Sequence, residues 1–391
     1  MADFLFIDFE TRGPNLKKLG PLKYALDDRT TILMLAWALD RGPTYLWVPG
    51  NPVPDRLWQH VRNGGLTVAW NAAFDRHIWQ QIAVNDVHRF PPLFIEQTLD
   101  AMAQAQASGL PGRLDRAGIV MGLGGKAKKG KGNLKWITDC NSDRQPTQEE
   151  WADFCAYALR DVRLMQQIWY ATRPLSAEEW REYWASEQIN DRGMGIDVEL
   201  CLAAASYKAE DEEWTATEVT RLTGGVCTKQ TQSVRLSKWV YERLDDTLRQ
   251  GMVKEYDDET GDPSKLTLGR QTIVQLLDDI QQSDHPPADD VTELLELLLY
   301  GRSSSAAKFQ KMADQSVDGR LCSSHVFNGA GQTGRYSSRG VQTHNLPRDP
   351  IDNEAEIINM VLERVPVEEL RKIAPVSKIL SRLIRPAIIA P

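Results

Sequence analysis

The chain has 391 residues, 42% hydrophobic and 26% charged, with a net charge of −8. It is too long for one ordinary core and too apolar for wholesale disorder, so two or three folded domains are expected. The acidic balance argues against a simple electrostatic nucleic-acid binder, and no apolar run of about 18 residues argues for a membrane span. The acids in MADFLFIDFE replace the basic start of a signal peptide, which makes a cytoplasmic protein without membrane contact the expectation.

FLFIDFE is an apolar run broken by acids, the pattern of a buried central strand. TILMLAWAL (31–39) and TYLWV (44–48) follow at hairpin spacing around Asp40-Arg41-Gly42-Pro43. A helical stretch begins near Pro54, and LTVAW (66–70) returns as a strand, which together indicate a mixed α/β domain. A loop with Lys126, Lys128, Lys129, Lys131 and Lys135 contains no acid. Such a loop is usually solvated surface, and the alternative is a contact with a nucleic-acid strand being degraded. From Thr147 the pattern turns helical, with TQEE as a capping box before WADFCAYALRDVRLMQQIWY.

All twelve tryptophans lie at or before Trp239. Beyond it, EYDDETGDPS (255–264) and SDHPPADD (283–290) read as polar turns between helices. Between Gly301 and Arg348, seven basic residues face two acids in a Gly/Ser/Arg-rich stretch of extended structure and loops. VEELRKIAPVSKILSRLIR is a last helical stretch before an apolar IIAP. The five cysteines are scattered, with no metal-knuckle spacing, and read as reduced, buried thiols.

Asp8 and Glu10, two apart on a strand, leave the same face. Asp75 follows the next strand, where a strand-to-helix turn can aim it back at the sheet. Tyr157 and Asp161, four apart on a helix, share a face. Taken singly, each pair reads equally as edge or surface polarity. Together, converging carboxylates would repel one another without cations. Hard Mg²⁺ or Mn²⁺ prefers carboxylate oxygen and water, and two such ions can activate a water and neutralise a leaving oxygen in phosphodiester cleavage. A phenol such as Tyr157 can hold the attacking water in line.

IDFET, NAAFD and YALRD, in that order, resemble the three motifs of the DEDD exonuclease superfamily in its tyrosine-bearing branch. The resemblance implies a ribonuclease H-like 3′–5′ exonuclease with two Mg²⁺ (or Mn²⁺) ions. Asp8, Glu10 and Asp161 would hold metal, Asp75 would act mainly through bound water, and Tyr157 would orient the nucleophile. Thr11, Asn71 and Phe74 match the family's substrate-side positions. LPGRLDRAGIVMGLG resembles the spacer that phage-type polymerases carry between the second and third motifs.

LSAEEWREYWASEQINDRGMGID (175–197) resembles the junction of exonuclease and thumb in family A DNA polymerases. SSSAAKFQKM (303–312), with Lys308, is similar to the thumb segment that approaches duplex backbone. GAGQTGRYSSRGVQTHNLPR (329–348) resembles the first polymerase motif. There Arg335 matches the minor-groove arginine and Asn345 a DNA-contacting asparagine, while His344 stands where many members have Gln. The implied architecture is an α/β exonuclease domain (1–172), a mainly helical thumb (173–325) and a partial palm (326–391). The implied partners are a single-stranded 3′ end and a primer-template duplex. IIAP precedes the strand that would bear the first polymerase metal ligand, so a second polypeptide with the rest of palm and fingers is expected. A split gene, an interrupted coding sequence or a cut chain would each explain this. Two rival readings are a non-catalytic subunit that clamps primer-template and an RNA-trimming enzyme.

Overall fold

A computed structural model describes residues 3–85, 87–124, 134–258, 260–301, 306–331, 333–347 and 350–390. The lysines at 126, 128, 129 and 131, the side chain of Lys135, and Arg302 and Arg348 of the basic stretch lie outside the described residues. The chain divides into two compact units: residues 1–196, 314–345 and 390–391 form the first, and 197–313 with 346–389 form the second. The breaks expected near 172 and 325 both fall inside the first unit.

The first unit is mixed α/β, built on a five-stranded sheet ordered β3-β2-β1-β4-β5. Its strands are β1 (Phe4–Arg12), β2 (Thr31–Leu39), β3 (Tyr45–Trp47), β4 (Leu66–Ala69) and β5 (Thr98–Asp100). β2 runs antiparallel to both its neighbours, β1 and β3, and β4 and β5 join parallel to β1. Alternation sorts the central strand between two cores. Phe6 packs with Met34, Ala36, Val68 and the buried face of the Gln148–Ala171 helix. Leu5, Ile7 and Phe9 pack with Leu35, Trp37, Leu57 and Trp79 on the other side. β4 ends at Ala69 rather than Trp70, because Asn71 turns through a positive φ of 64° into the Ala73–Ile78 helix. The Gln148–Ala171 helix starts at the expected capping box, with Thr147 and Glu150 bonding each other's amides.

The segment INDRGMGID forms the end of the Ala177–Arg192 helix, a Gly193 cap at φ 68° and a strand at Met194–Ile196. Gly193 suits both the conformation and the space, since a Cβ there would lie 2.7 Å from Cys322 Sγ. The 316–345 segment belongs to this unit and carries a ribbon, His325–Ala330 against Arg335–Ser338. Phe327 of the ribbon joins the core that contains Tyr157.

The second unit is mainly helical. Its core is drawn from the Val198–Leu222, Ser233–Tyr241, Arg270–Gln282 and Asp289–Gly301 helices, with Leu236, Trp239, Ile273 and Leu294 fully enclosed. Two expectations need correction here. The stretch 255–264 is not only a turn: Val253–Tyr256 and Pro263–Leu266 pair as a hairpin. Asp257 organises its tip by accepting the Thr260 amide, and Gly261 takes φ 71°. Exposed charged strands show no apolar alternation, which hid them. The stretch 367–385 is two helices, Val367–Ile373 and Val376–Leu383, because Pro375 cannot donate to a continuing helix.

Of the five thiols, all free, Cys201 and Cys227 are buried and the other three only half-buried. Among the described residues no helix is long and apolar enough to cross a membrane.

Candidate active site

The site forms where β1 outruns its parallel neighbour. β1 and β4 pair only as far as Phe6 opposite Val68. The amide of Phe9 therefore has no strand on that side, and Asp75 accepts it at 2.8 Å. A buried amide needs such a partner. Asp75 sits in the first turn of the Ala73–Ile78 helix, 2% exposed. Burial raises its pKa well above the usual carboxylate range. The Phe9 amide opposes this, and the neighbouring acids Glu10 and Asp100 reinforce it.

Asp8 and Glu10 lie opposite Ala36 and Met34 of β2, on the face that packs against the Gln148–Ala171 helix. That helix brings Tyr157 and Asp161, both buried, onto the same face. Burial raises the Tyr157 phenol far above neutrality, followed by the negative charges of Asp161, Glu10 and Asp8. The three carboxylates are thus near enough to act on the phenol, and Asp161 also bonds it. Phe154 stacks beside the phenol at 6.4 Å between ring centroids, with the planes 4° apart.

Two of the expected substrate-side residues, Thr11 and Phe74, meet around Tyr24 at the end of β1. Thr11 Oγ1 lies 2.9 Å from the Tyr24 hydroxyl, and the Phe74 ring lies 6.0 Å from the Tyr24 ring. Asn71 is fixed through its backbone, whose amide donates to Asp100 Oδ1 at 2.9 Å. Arg335 and Asn345 are exposed on the 325–345 ribbon and its following turn. Ser338 Oγ holds His344 Nδ1 at 2.6 Å beside Asn345. Lys308 is half-buried on the Ala307–Gln315 helix, and burial lowers its pKa.

Sequence reasoning passed over three buried partners. Asp100 caps the Ala101–Ala107 helix and holds Asn71, and burial pushes it up to about 6. Arg76, 1% exposed, bonds Asp191 at 2.5 and 2.8 Å and Glu187 at 3.1 Å on the Ala177–Arg192 helix. His77 beside it, enclosed and near Arg76, is pushed down to about 4 and stays neutral. Asp100 follows a strand and precedes an alanine-rich helix, a cap signal that could have been read. Nothing local in the sequence announces the partners of Arg76.

The donors at the carboxylate site are all oxygen, with no thiol or imidazole among them, which fits a hard divalent ion by chemistry. Among the described residues no three acidic, histidine or cysteine side chains close around one point as a ready-made metal cage.

No protein-family model matches the chain. It is 26% identical over 370 residues to a DNA polymerase of Bacillus phage SP02, covering 89% of this chain and 52% of that protein. The chain therefore spans about half the length of the curated relative it matches. Among solved structures, it is similar to the POL domain of Pol1 from M. smegmatis in complex with DNA primer-template and dNTP. That likeness has TM-score 0.47 and 14% identity, over 92% of this chain and 54% of that one. A family B DNA polymerase from Pyrobaculum calidifontis matches at TM-score 0.29 and 12% identity, over 80% and 49%. The chain is a homologue of a phage DNA polymerase.

Proposed function

We propose that this chain is the proofreading part of a family A DNA polymerase, a 3′–5′ exonuclease that hydrolyses DNA from its 3′ end. The observation that carries the reading is the shared placement of Asp8, Glu10, Tyr157 and Asp161 on one face, with Asp75 bonded into β1, in a chain homologous to a phage DNA polymerase. Packing alone gives no reason to collect buried acids around one phenol, since like charges disfavour each other's ionised form. The sheet and its flanking helices form a ribonuclease H-like exonuclease domain over 1–172, with a thumb over 173–325 and the start of a palm over 326–391. Arg335, Asn345 and Lys308 are the proposed duplex contacts.

Asp8, Glu10 and Asp161 would hold two Mg²⁺ or Mn²⁺ ions, which when bound lower the pKa of water and neutralise charge on a leaving oxygen. The Tyr157 phenol keeps its proton and bonds the Asp161 side chain, which fixes the ring beside the site; from there it would orient the attacking water once Asp161 is engaged by metal. Asp75 holds the end of β1 through Phe9 and so fixes where Asp8 and Glu10 point. Thr11, Asn71 and Phe74 receive the terminal nucleotide.

The purified chain should shorten single-stranded DNA from the 3′ end with Mg²⁺ or Mn²⁺, release 5′-mononucleotides, and stop on addition of EDTA. Asp8→Ala should remove at least about 3 kcal/mol of transition-state stabilisation, roughly a hundredfold in rate. A variant that keeps the wild-type rate would overturn the assignment.

A further inference from the structure

The end of β1 poses a problem that the strand itself does not solve. The β1–β2 register shifts between Glu10 and Thr11. Past such an irregularity the pleat no longer dictates where a side chain points. Thr11 is nonetheless buried, and its hydroxyl meets one phenol, Tyr24, at 2.9 Å.

Tyr24 lies on the short Pro21–Leu26 helix and is held on several sides. Its carbonyl accepts the Thr30 hydroxyl at 2.6 Å. Its ring occupies the space beside Gly13, where a Cβ would come within 2.6 Å of the ring. Gly13 is itself pinned, donating to the Thr138 carbonyl at 3.0 Å and accepting the Cys140 amide at 3.1 Å. The other side of the ring meets Phe74, the residue before Asp75, at 6.0 Å. The carboxylate of Glu10 is near enough to act on the phenol. Tyr24 therefore touches a residue next to Glu10 and a residue next to Asp75. A phenylalanine would fill the same core volume; a buried hydroxyl costs free energy unless it is bonded, and this one bonds Thr11.

We propose that Tyr24 is a positioning residue of the site, holding Thr11 and Phe74 in place to receive the 3′-terminal nucleotide. The inference rests on the exonuclease reading above and adds a residue to it. Tyr24 acts through Thr11, so it governs how well the strand end is held more than how fast the bond breaks.

The test is a double-mutant cycle with Tyr24→Phe and Thr11→Val, using the full chain, Mg²⁺ and a single-stranded oligodeoxynucleotide. Tyr24→Phe keeps the ring and removes the hydroxyl. It should raise KM about three- to tenfold, the scale of one lost hydrogen bond, with kcat within about twofold. Thr11→Val should do the same, and the double variant should be no worse than either single one. Melting temperatures report folding separately. Independent, multiplying effects would overturn the inference, as would an unchanged KM in an active Tyr24→Phe protein. A loss confined to kcat that follows a lowered melting temperature would make Tyr24 a mere core residue and overturn it too. A wild-type chain without hydrolysis overturns the exonuclease reading itself, and this inference with it.

Discussion

Asp75 and Arg76 are neighbours on one short helix, yet they enter two opposite kinds of buried charge. Arg76 turns to the Ala177–Arg192 helix and meets Glu187 and Asp191 within hydrogen-bonding distance. There the charges offset one another, and the network ties two helices together. Asp75 turns to β1, where the charged neighbours that act on it most are further acids, Glu10 and Asp100. The first arrangement is explained by the fold it supports. The second satisfies the Phe9 amide but gathers like charges without a cation, which is what marks it as a candidate binding site.

The sharpest break of that contrast is a pair of variants measured by urea denaturation. Arg76→Met leaves the buried Glu187 and the partly exposed Asp191 without their cation and should cost about 3 kcal/mol of stability. Asp161→Asn removes one negative charge from beside Tyr157 and should leave stability unchanged or raised while hydrolysis collapses. If the two variants destabilise alike, the distinction between the sites fails.

A second measurement uses pH. Burial lifts Asp100 from 3.8 to about 6. Between those values the folded chain holds a proton that the unfolded chain has released, so this residue's contribution to stability falls as pH rises through the window. Asp100→Asn keeps an acceptor for the amides of Asn71 and Met102 but cannot titrate. Its stability relative to wild type should rise on the order of 2 kcal/mol between pH 4 and 6.5. Parallel pH profiles for the two proteins would refute this.

The smallest effect lies at the far end of the site helix. Thr147→Ala removes the capping box and should cost about 1 kcal/mol, with turnover unchanged because Tyr157 and Asp161 sit turns away. A large loss of activity would mean that the helix start and the site move together.

Much of this was legible from local pattern. FLFIDFE alternates between two cores, TQEE caps a helix, and YALRD shares a face, each signal contained within a few residues. The Val253–Tyr256 and Pro263–Leu266 hairpin was not, because its strands are exposed and charged and only their pairing makes them strands. Nor were the partners of Arg76, which lie 111 and 115 residues away along the chain. Tyr24 was missed for a similar reason: a tyrosine in PLKYAL looks like ordinary core until Thr11 and Phe74 are seen against it. Thus the residues of the proposed site stand out by type and spacing along the chain, whereas the residues packed against them are found only through contacts.

The short reach of β4 has a consequence for how this sequence can vary. Pairing stops at Phe6 and Val68, and the next open amide along that edge, Phe9, is filled from a helix rather than from a strand. The stretch from Ala69 to Asp75 therefore acts as a ruler: its length in residues sets which β1 amide the carboxylate meets. One residue more or less would rotate Asp75 by about 100° around its helix and away from the strand. Loops elsewhere in the chain can drift in length at lower cost, but this one is bound to a fixed count.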